Sequence, residues 1–166
     1  MTLGQTLAAE LKHEAVSTRK MLERVPEDKF DWQPHEKSMK LGRLASHVAE
    51  ISHWVNAALT QDELDFATSD YKPETANSAR DLVEIFDKTV GEAAGLLENV
   101  SDEDIMRKWR LRNGEKIFFE LPKIAVIRSM VLNHLIHHRG QLSVYLRLND
   151  VPLPSVYGPT ADEPMM

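Results

Sequence analysis

Apolar residues recur along this chain mostly at helical spacing. Leu7, Leu11, Thr18, Met21, Leu22 and Val25 mark one face of a segment whose intervening positions are rich in Glu and Lys. That spacing predicts a helix over residues 3–24. Val25-Pro26 ends it, because a residue before proline is driven out of the α region. Residues 26–38 form a polar connection holding Trp32, Pro34 and His35. A second helix is predicted from about Leu41 to Thr60, with Ser38 as a candidate cap. Its inward face reads Leu44, His47, Val48, Ile51, Trp54, Val55 and Ala58. The acidic, Pro73-containing stretch Gln61–Asn77 reads as a loop. Asn77 or Ser78 opens a third helix that runs to about Leu97 on the stripe Leu82, Ile85, Phe86, Val90, Ala93, Ala94 and Leu97.

The pattern changes over residues 101–121. Trp109-Arg-Leu-Arg, Asn113-Gly114 and Lys116-Ile-Phe-Phe-Glu120 predict a β-hairpin, with Asn-Gly as a type I′ turn that needs positive φ at both positions. Pro122 then starts the last helix, since its missing N–H costs little in a first turn, and that helix runs to about Leu148. The proline-rich tail from about residue 151 is expected to lie extended over the body or to be partly loose. The fold class is therefore all-α: four long helices in a bundle, with a small β-hairpin between the third and fourth. The long connection between the second and third helices leaves their order in space open.

Composition narrows the setting. The chain has 166 residues, which suits one domain over 1–166. A formal net charge of −6 argues against a phosphate-backbone partner, so no nucleic acid is expected. There is no cysteine, so any metal must sit on histidine, carboxylate or water. No apolar run reaches the ~20 residues that span a bilayer, and the N-terminus lacks a signal-like apolar core. The expectation is a cytoplasmic protein with no membrane partner.

The candidate chemistry lies in the histidines. On the last helix the inward seam can be traced as Ile124, Ile127, Val131, His134, His138, Gln141 and Tyr145. Residues four apart point about 40° apart around a helix, so His134 and His138 face the same way. His47 sits between Leu44 and Ile51 in the same kind of position on the second helix. All three stand where an aliphatic side chain is expected. An unpaired buried imidazole costs roughly 1–3 kcal/mol, and stacked imidazoles repel once protonated. A divalent metal ion removes both penalties. An i, i+4 histidine pair alone is a weak signal, because two surface histidines often share that spacing. The seam placement and the third histidine strengthen it.

The remaining polar residues carry blander expectations. Gln141, one turn below His138, could bond a ligand imidazole, and His137 could take an outer role at the site edge. Glu50, one residue off the seam and three after His47, could take the same outer role as Gln141, but a solvated surface charge is the expectation. His53 reads as solvated, His13 as structural, and His35 as a loop residue near a possible pocket mouth. Gly140 is expected to mark close approach of a neighbouring helix, since glycine inside a helix costs about 1 kcal/mol relative to alanine.

Two segments carry a resemblance. PHEKSMKLGRLASHVAEI (residues 34–51) and MVLNHLIHHRGQLSVYLRLNDVPLPSVYGP (130–159) resemble the DinB/YfiT-like superfamily of bacterial metal-binding four-helix proteins. The similarity runs over most of the chain and is most specific at His-x-x-x-His-Arg-Gly-Gln. It implies an up-down-down-up bundle and a divalent metal, Zn or Ni most often, with Fe or Mn also possible. It places the ligands on His47, in Leu-x-x-His, and on His134 and His138. It also implies homodimers. Some relatives act on substrates through low-molecular-weight thiols such as bacillithiol or mycothiol.

Two functions follow as expectations. One is a metal-dependent transferase or hydrolase in which the ion activates a low-molecular-weight thiol or water for a small-molecule substrate. The other is a non-catalytic, stress-related module in which the metal holds the fold together. The catalytic residues stay unassigned. Trp54, Val55, Leu135, Leu142 and Leu146 are more apolar surface than one seam absorbs, which independently suggests a two-fold homodimer.

Overall fold

The computed structural model describes residues 1–164. It is mostly helical and carries a small three-stranded sheet. Helix α1 (Leu3–Leu22) begins at Thr2, whose hydroxyl accepts from the Gln5 amide while the Gln5 side chain accepts from the Thr2 amide. This reciprocal cap satisfies two amides that the first turn leaves without helical partners. The second helical run is split into α2 (Leu41–Glu50), a 3₁₀ turn (Ile51–His53) and α3 (Trp54–Thr60). Lys40, not Ser38, stands at the cap position of α2, and no side chain caps it. Helix α4 (Ala79–Asn99) is capped by Ser78, whose hydroxyl accepts from the Asp81 amide.

These runs close on one another. Helix α1 packs on α4, and α2 packs on α4. Gly4 makes the α1–α4 crossing possible, because a Cβ there would sit 2.3 Å from the Leu97 carbonyl oxygen. Gly42 gives similar room to the ring of Phe30. Gly140 does not: nothing lies within 4 Å of where its Cβ would be, so the expected close helix approach is absent there.

The loop expected over Gln61–Asn77 contains strand β1 (Glu63–Asp65). After the short helix α5 (Asp102–Met106) come β2 (Lys108–Asn113) and β3 (Lys116–Pro122). Strand β1 pairs in parallel with β2, Glu63 opposite Arg110 and Asp65 opposite Arg112. Three residues are too few to announce a strand; β1 pairs along the backbone of β2, and Arg112 meets Glu63 at 2.8 Å across that pairing. The β2–β3 hairpin is present and antiparallel. Only Gly114 takes positive φ at its turn (58°), so the two positive residues of a type I′ turn are not found. Trp109 of β2 is fully buried and donates its indole N–H to the Ala57 carbonyl at 3.1 Å, fastening the sheet to α3.

The last helical run begins as α6 (Lys123–Ile127), widens into a π-helical segment (Arg128–Asn133) and continues as α7 (His134–Leu148). It packs against both α1 and α2. A π segment holds one extra residue in its turn, which shifts every side chain beyond it around the axis. Leu135, Leu142 and Leu146 are therefore fully buried in the chain's own core, as is Val55. Trp54 is partly covered by Phe66 and Tyr71. The apolar surplus that suggested a dimer face is thus absorbed within one chain.

Residues 151–164 carry no regular structure but are pinned down. Arg24 pairs with Glu163 and Arg147 with Asp162. The amides of Leu153 and Ser155 donate to those same two carboxylates. Met165 and Met166, the end of the expected tail, lie outside the described residues. No helix among the described residues is long and apolar enough to cross a membrane.

Candidate metal centre

Helix α2 carries His47 beside the fully buried Leu44, Val48 and Ile51. Helix α7 carries His134 at its first residue and His138 one turn later. The structure brings these three imidazoles together in the body of the protein. Ring centroids lie 4.5 Å apart for His134 and His138, 4.7 Å for His47 and His138, and 5.0 Å for His47 and His134. The Nε2 atom of His134 is 2.8 Å from Nε2 of His138 and 3.4 Å from Nε2 of His47.

The outer ring nitrogens decide the tautomers. His47 Nδ1 lies 3.2 Å from Oε1 of Glu50, His134 Nδ1 lies 3.2 Å from the Met130 carbonyl, and His138 Nδ1 lies 2.7 Å from Oε1 of Gln141. Each partner is an oxygen acceptor, so each Nδ1 carries the proton and donates it. Each Nε2 is then left with a bare lone pair. Three lone pairs aimed into one small space cannot hydrogen-bond one another. An electropositive centre among them resolves the conflict. Zinc–imidazole bonds of ~2.0–2.1 Å in tetrahedral geometry put donors about 3.3 Å apart; the His47–His134 pair at 3.4 Å matches this, the His134–His138 pair at 2.8 Å is closer, and all three donors lie within 4.8 Å of one another. The donor set therefore fits a borderline divalent metal.

The electrostatics favour neutral ligands. Burial holds the His134 imidazole below the usual histidine range, and the bond to Met130 only partly offsets it. Burial also drives His138 down to about 4, with the neighbouring histidines adding to the fall. Both rings are thus uncharged at neutral pH, the form that binds metal.

Glu50 was expected in solvent and is 2 % exposed. Its Oε1 accepts from His47 and, at 2.6 Å, from Arg43, and its Oε2 accepts from the Glu74 amide at 2.6 Å. Burial pushes its carboxyl up, but the bonds from His47, Arg43 and Glu74 outweigh that and leave it below the usual carboxylate range. A fixed carboxylate behind a ring orients the imidazole and strengthens its outer lone pair. The signal was present in the sequence, because Arg43, His47 and Glu50 at i, i+4 and i+7 share one helix face.

The other histidines stay outside the cluster. His53 is exposed. His137 is exposed, its ring 4.8 Å from that of His138 but not among the converging donors. His13 is exposed, and His35 accepts from the Lys37 amide within its own loop. Arg139, which no periodicity singled out, is 3 % exposed and pairs with Glu14 at 2.7 Å.

A model of the DinB family matches residues 1–165. The YjoA protein of Bacillus subtilis (strain 168) is 25 % identical over 145 residues, covering 87 % of this chain and 88 % of YjoA. The crystal structure of a DinB-like protein from Bacillus cereus ATCC 10987 superposes with a TM-score of 0.70 at 22 % identity, covering 91 % of this chain and 95 % of that one. The crystal structure of YjoA superposes with a TM-score of 0.70 at 20 % identity, covering 90 % of this chain and 96 % of that one. At these identities the two structures speak to the fold.

Proposed function

We propose, for a chain that belongs to the DinB family, that His47, His134 and His138 hold one divalent metal ion and that the protein is a metal-dependent enzyme acting on a small molecule. The observation that carries this reading is the pairing of every Nδ1 with an oxygen acceptor while the three Nε2 atoms converge. Zinc or nickel suits such a set best, with iron or manganese as weaker fits. A bound ion of this kind supplies Lewis acidity, lowering the pKa of a thiol or water that occupies its remaining position. The chain's own part is to present neutral imidazoles, to fix their tautomers through Glu50, Met130 and Gln141, and to keep bulk water from the buried side of the rings. Glu50 is already committed to three donors. It is therefore not free to act as a general base, which favours a low-molecular-weight thiol over water as the activated group.

The same reading includes the up-down-down-up helix order. It is supported by contacts of Lys12 with Glu98 and Arg19 with Asp87, and by Glu10 with Arg128. A homodimer has the family resemblance as its support.

The test is a cobalt-substituted protein titrated with 2-mercaptoethanol. A thiolate-to-cobalt charge-transfer band is the expected result. A spectrum insensitive to thiol but showing an exchangeable water would favour water activation. A closed four-coordinate site with no exchangeable ligand would favour the structural-metal module instead.

A further inference from the structure

Helix α7 carries a second polar constellation on the side facing α1, in which Arg139, Glu14, Ser17 and Thr18 are buried and Tyr157 is 61 % exposed. The guanidinium of Arg139 donates Nη1 to the Glu14 carbonyl at 3.1 Å, to Ser17 Oγ at 2.9 Å and to Thr18 Oγ1 at 3.1 Å. Its Nη1 also lies 2.7 Å from Oε2 of Glu14. Its Nη2 donates to the Tyr157 hydroxyl at 2.8 Å, and that hydroxyl donates to Oε2 of Glu14 at 2.7 Å. The Tyr157 ring also lies over the guanidinium, 5.1 Å from its carbon to the ring centroid. Tyr157 belongs to the irregular segment after α7, so a residue of the tail closes the network.

We infer that the Glu14–Arg139–Tyr157 network positions the metal ligands by fixing the rotation of α7, which makes the C-terminal segment part of the metal centre's scaffold. The inference rests on the metal-binding reading above. Successive helix residues point about 100° apart, so the direction of Arg139 toward α1 sets the direction of His138 toward α2. That outside clamp is needed because of what precedes α7. The π segment Arg128–Asn133 departs from the α-helical register, so the rotation of α7 is offset from the one α6 would give it in a regular helix. A ring nitrogen lies about 7 Å from the helix axis, so a rotation of about 10° moves it by about 1 Å. Sites of this kind tolerate roughly half that displacement.

None of the three residues touches an imidazole of the cluster. They are positioning residues, and their effect is read in metal affinity and not in ligand chemistry. Tyr157→Phe removes one hydroxyl and leaves the Glu14–Arg139 pair. Arg139→Lys keeps the charge but loses the planar fork that serves several acceptors at once. Leu97→Ala is the control: it opens the core at the α1–α4 crossing beside Gly4, away from α7, and lowers stability without touching this network.

The experiment measures zinc dissociation constants of the full chain by competition with a chromophoric chelator, and the unfolding midpoint of each metal-free variant. Imidazole NMR signals of the metal-free proteins give the second readout. The expected result is zinc binding weakened about tenfold in Arg139→Lys and about threefold in Tyr157→Phe, comparable to losses from outer partners of metal ligands. The His134 and His138 ring signals shift in both variants. Leu97→Ala loses stability but keeps the wild-type zinc constant and ring signals. Unchanged zinc constants in both network variants, or an equal weakening in Leu97→Ala, overturns the positioning role while leaving the metal site standing. Failure of the wild-type chain itself to bind zinc overturns the metal reading and this inference with it.

Discussion

Helix α7 presents two partly buried polar clusters on neighbouring faces, and they are solved in opposite ways. Toward α1, Arg139 is matched: a cation and its donors meet Glu14, Ser17, Thr18 and Tyr157. Toward α2, the histidines are matched on their outer nitrogens only, and their inner nitrogens meet one another. The first cluster is electrostatically complete. The second would be completed by the cation proposed above. The difference shows how a site can be separated from a structural network: by asking which group still lacks an opposite.

The contrast can be broken most sharply at a ligand. His134→Ala removes the ring shared by both short nitrogen contacts. Metal affinity is expected to fall more than about a hundredfold, beyond the 10–100-fold typical of outer partners. Elemental analysis after dialysis against equal trace metals reads this, with His53→Ala retaining wild-type content. If His134→Ala stays folded and keeps full metal content, the centre is misplaced.

Stability of the metal-free protein sharpens the comparison from the other side. Arg139→Met strands the Glu14 carboxylate in the interior, and removing one partner of a buried pair costs roughly 3–5 kcal/mol. His138→Leu relieves a conflict instead of creating one. Its cost in the metal-free protein is expected below about 1 kcal/mol, smaller than the loss from an ordinary buried truncation. Urea unfolding with a chelator present compares the two. Equal losses would show that the histidine cluster is as self-sufficient as the arginine cluster.

A smaller effect is expected behind His47. Glu50→Gln keeps the shape and an acceptor oxygen but loses the charge that strengthens the ring, so metal affinity should fall about tenfold. Isothermal titration of the metal-loaded range measures it, and an unchanged constant would assign Glu50 to anchoring the Glu74 backbone alone.

The gentlest change per unit pH comes from the titration of His138. Its imidazole is held at about 4 in the folded chain, below its ordinary value near 6.5. Between those values the unfolded chain binds a proton that the folded chain refuses. Stability of the metal-free protein therefore holds above about 6.5, falls as pH drops toward 4, and receives no further loss from this group below that. His134, displaced in the same direction, adds to the slope. Denaturation midpoints across that window test it, and His138→Leu should flatten the curve.

Much of the architecture was legible in the chain. Helical spacing locates all four long helical runs, Asn77-Ser78 marks the start of α4, and Asn113-Gly114 announces the hairpin. Three features escaped for identifiable reasons. Strand β1 depends on pairing with β2, more than forty residues away. The π segment has no marker in apolar spacing, so Leu135, Leu142 and Leu146 were assigned to a surface they do not occupy. The burial of Glu50 and Arg139 has no marker in the spacing, because a charge can be buried only when its partners are present.

The sequence by itself determined where the helical runs lie and that His47, His134 and His138 stand at inward positions, because helical periodicity is a local property of spacing. Only the tertiary structure decided that their Nε2 atoms meet, that each Nδ1 has an oxygen behind it, and that α7 is rotated to make this so. Those outcomes depend on what lies across from each side chain: Glu50 behind His47, Gln141 behind His138, and Glu14 with Tyr157 around Arg139. Burial of a polar group is favourable only as a pair, and the more distant of these pairings are made by the fold.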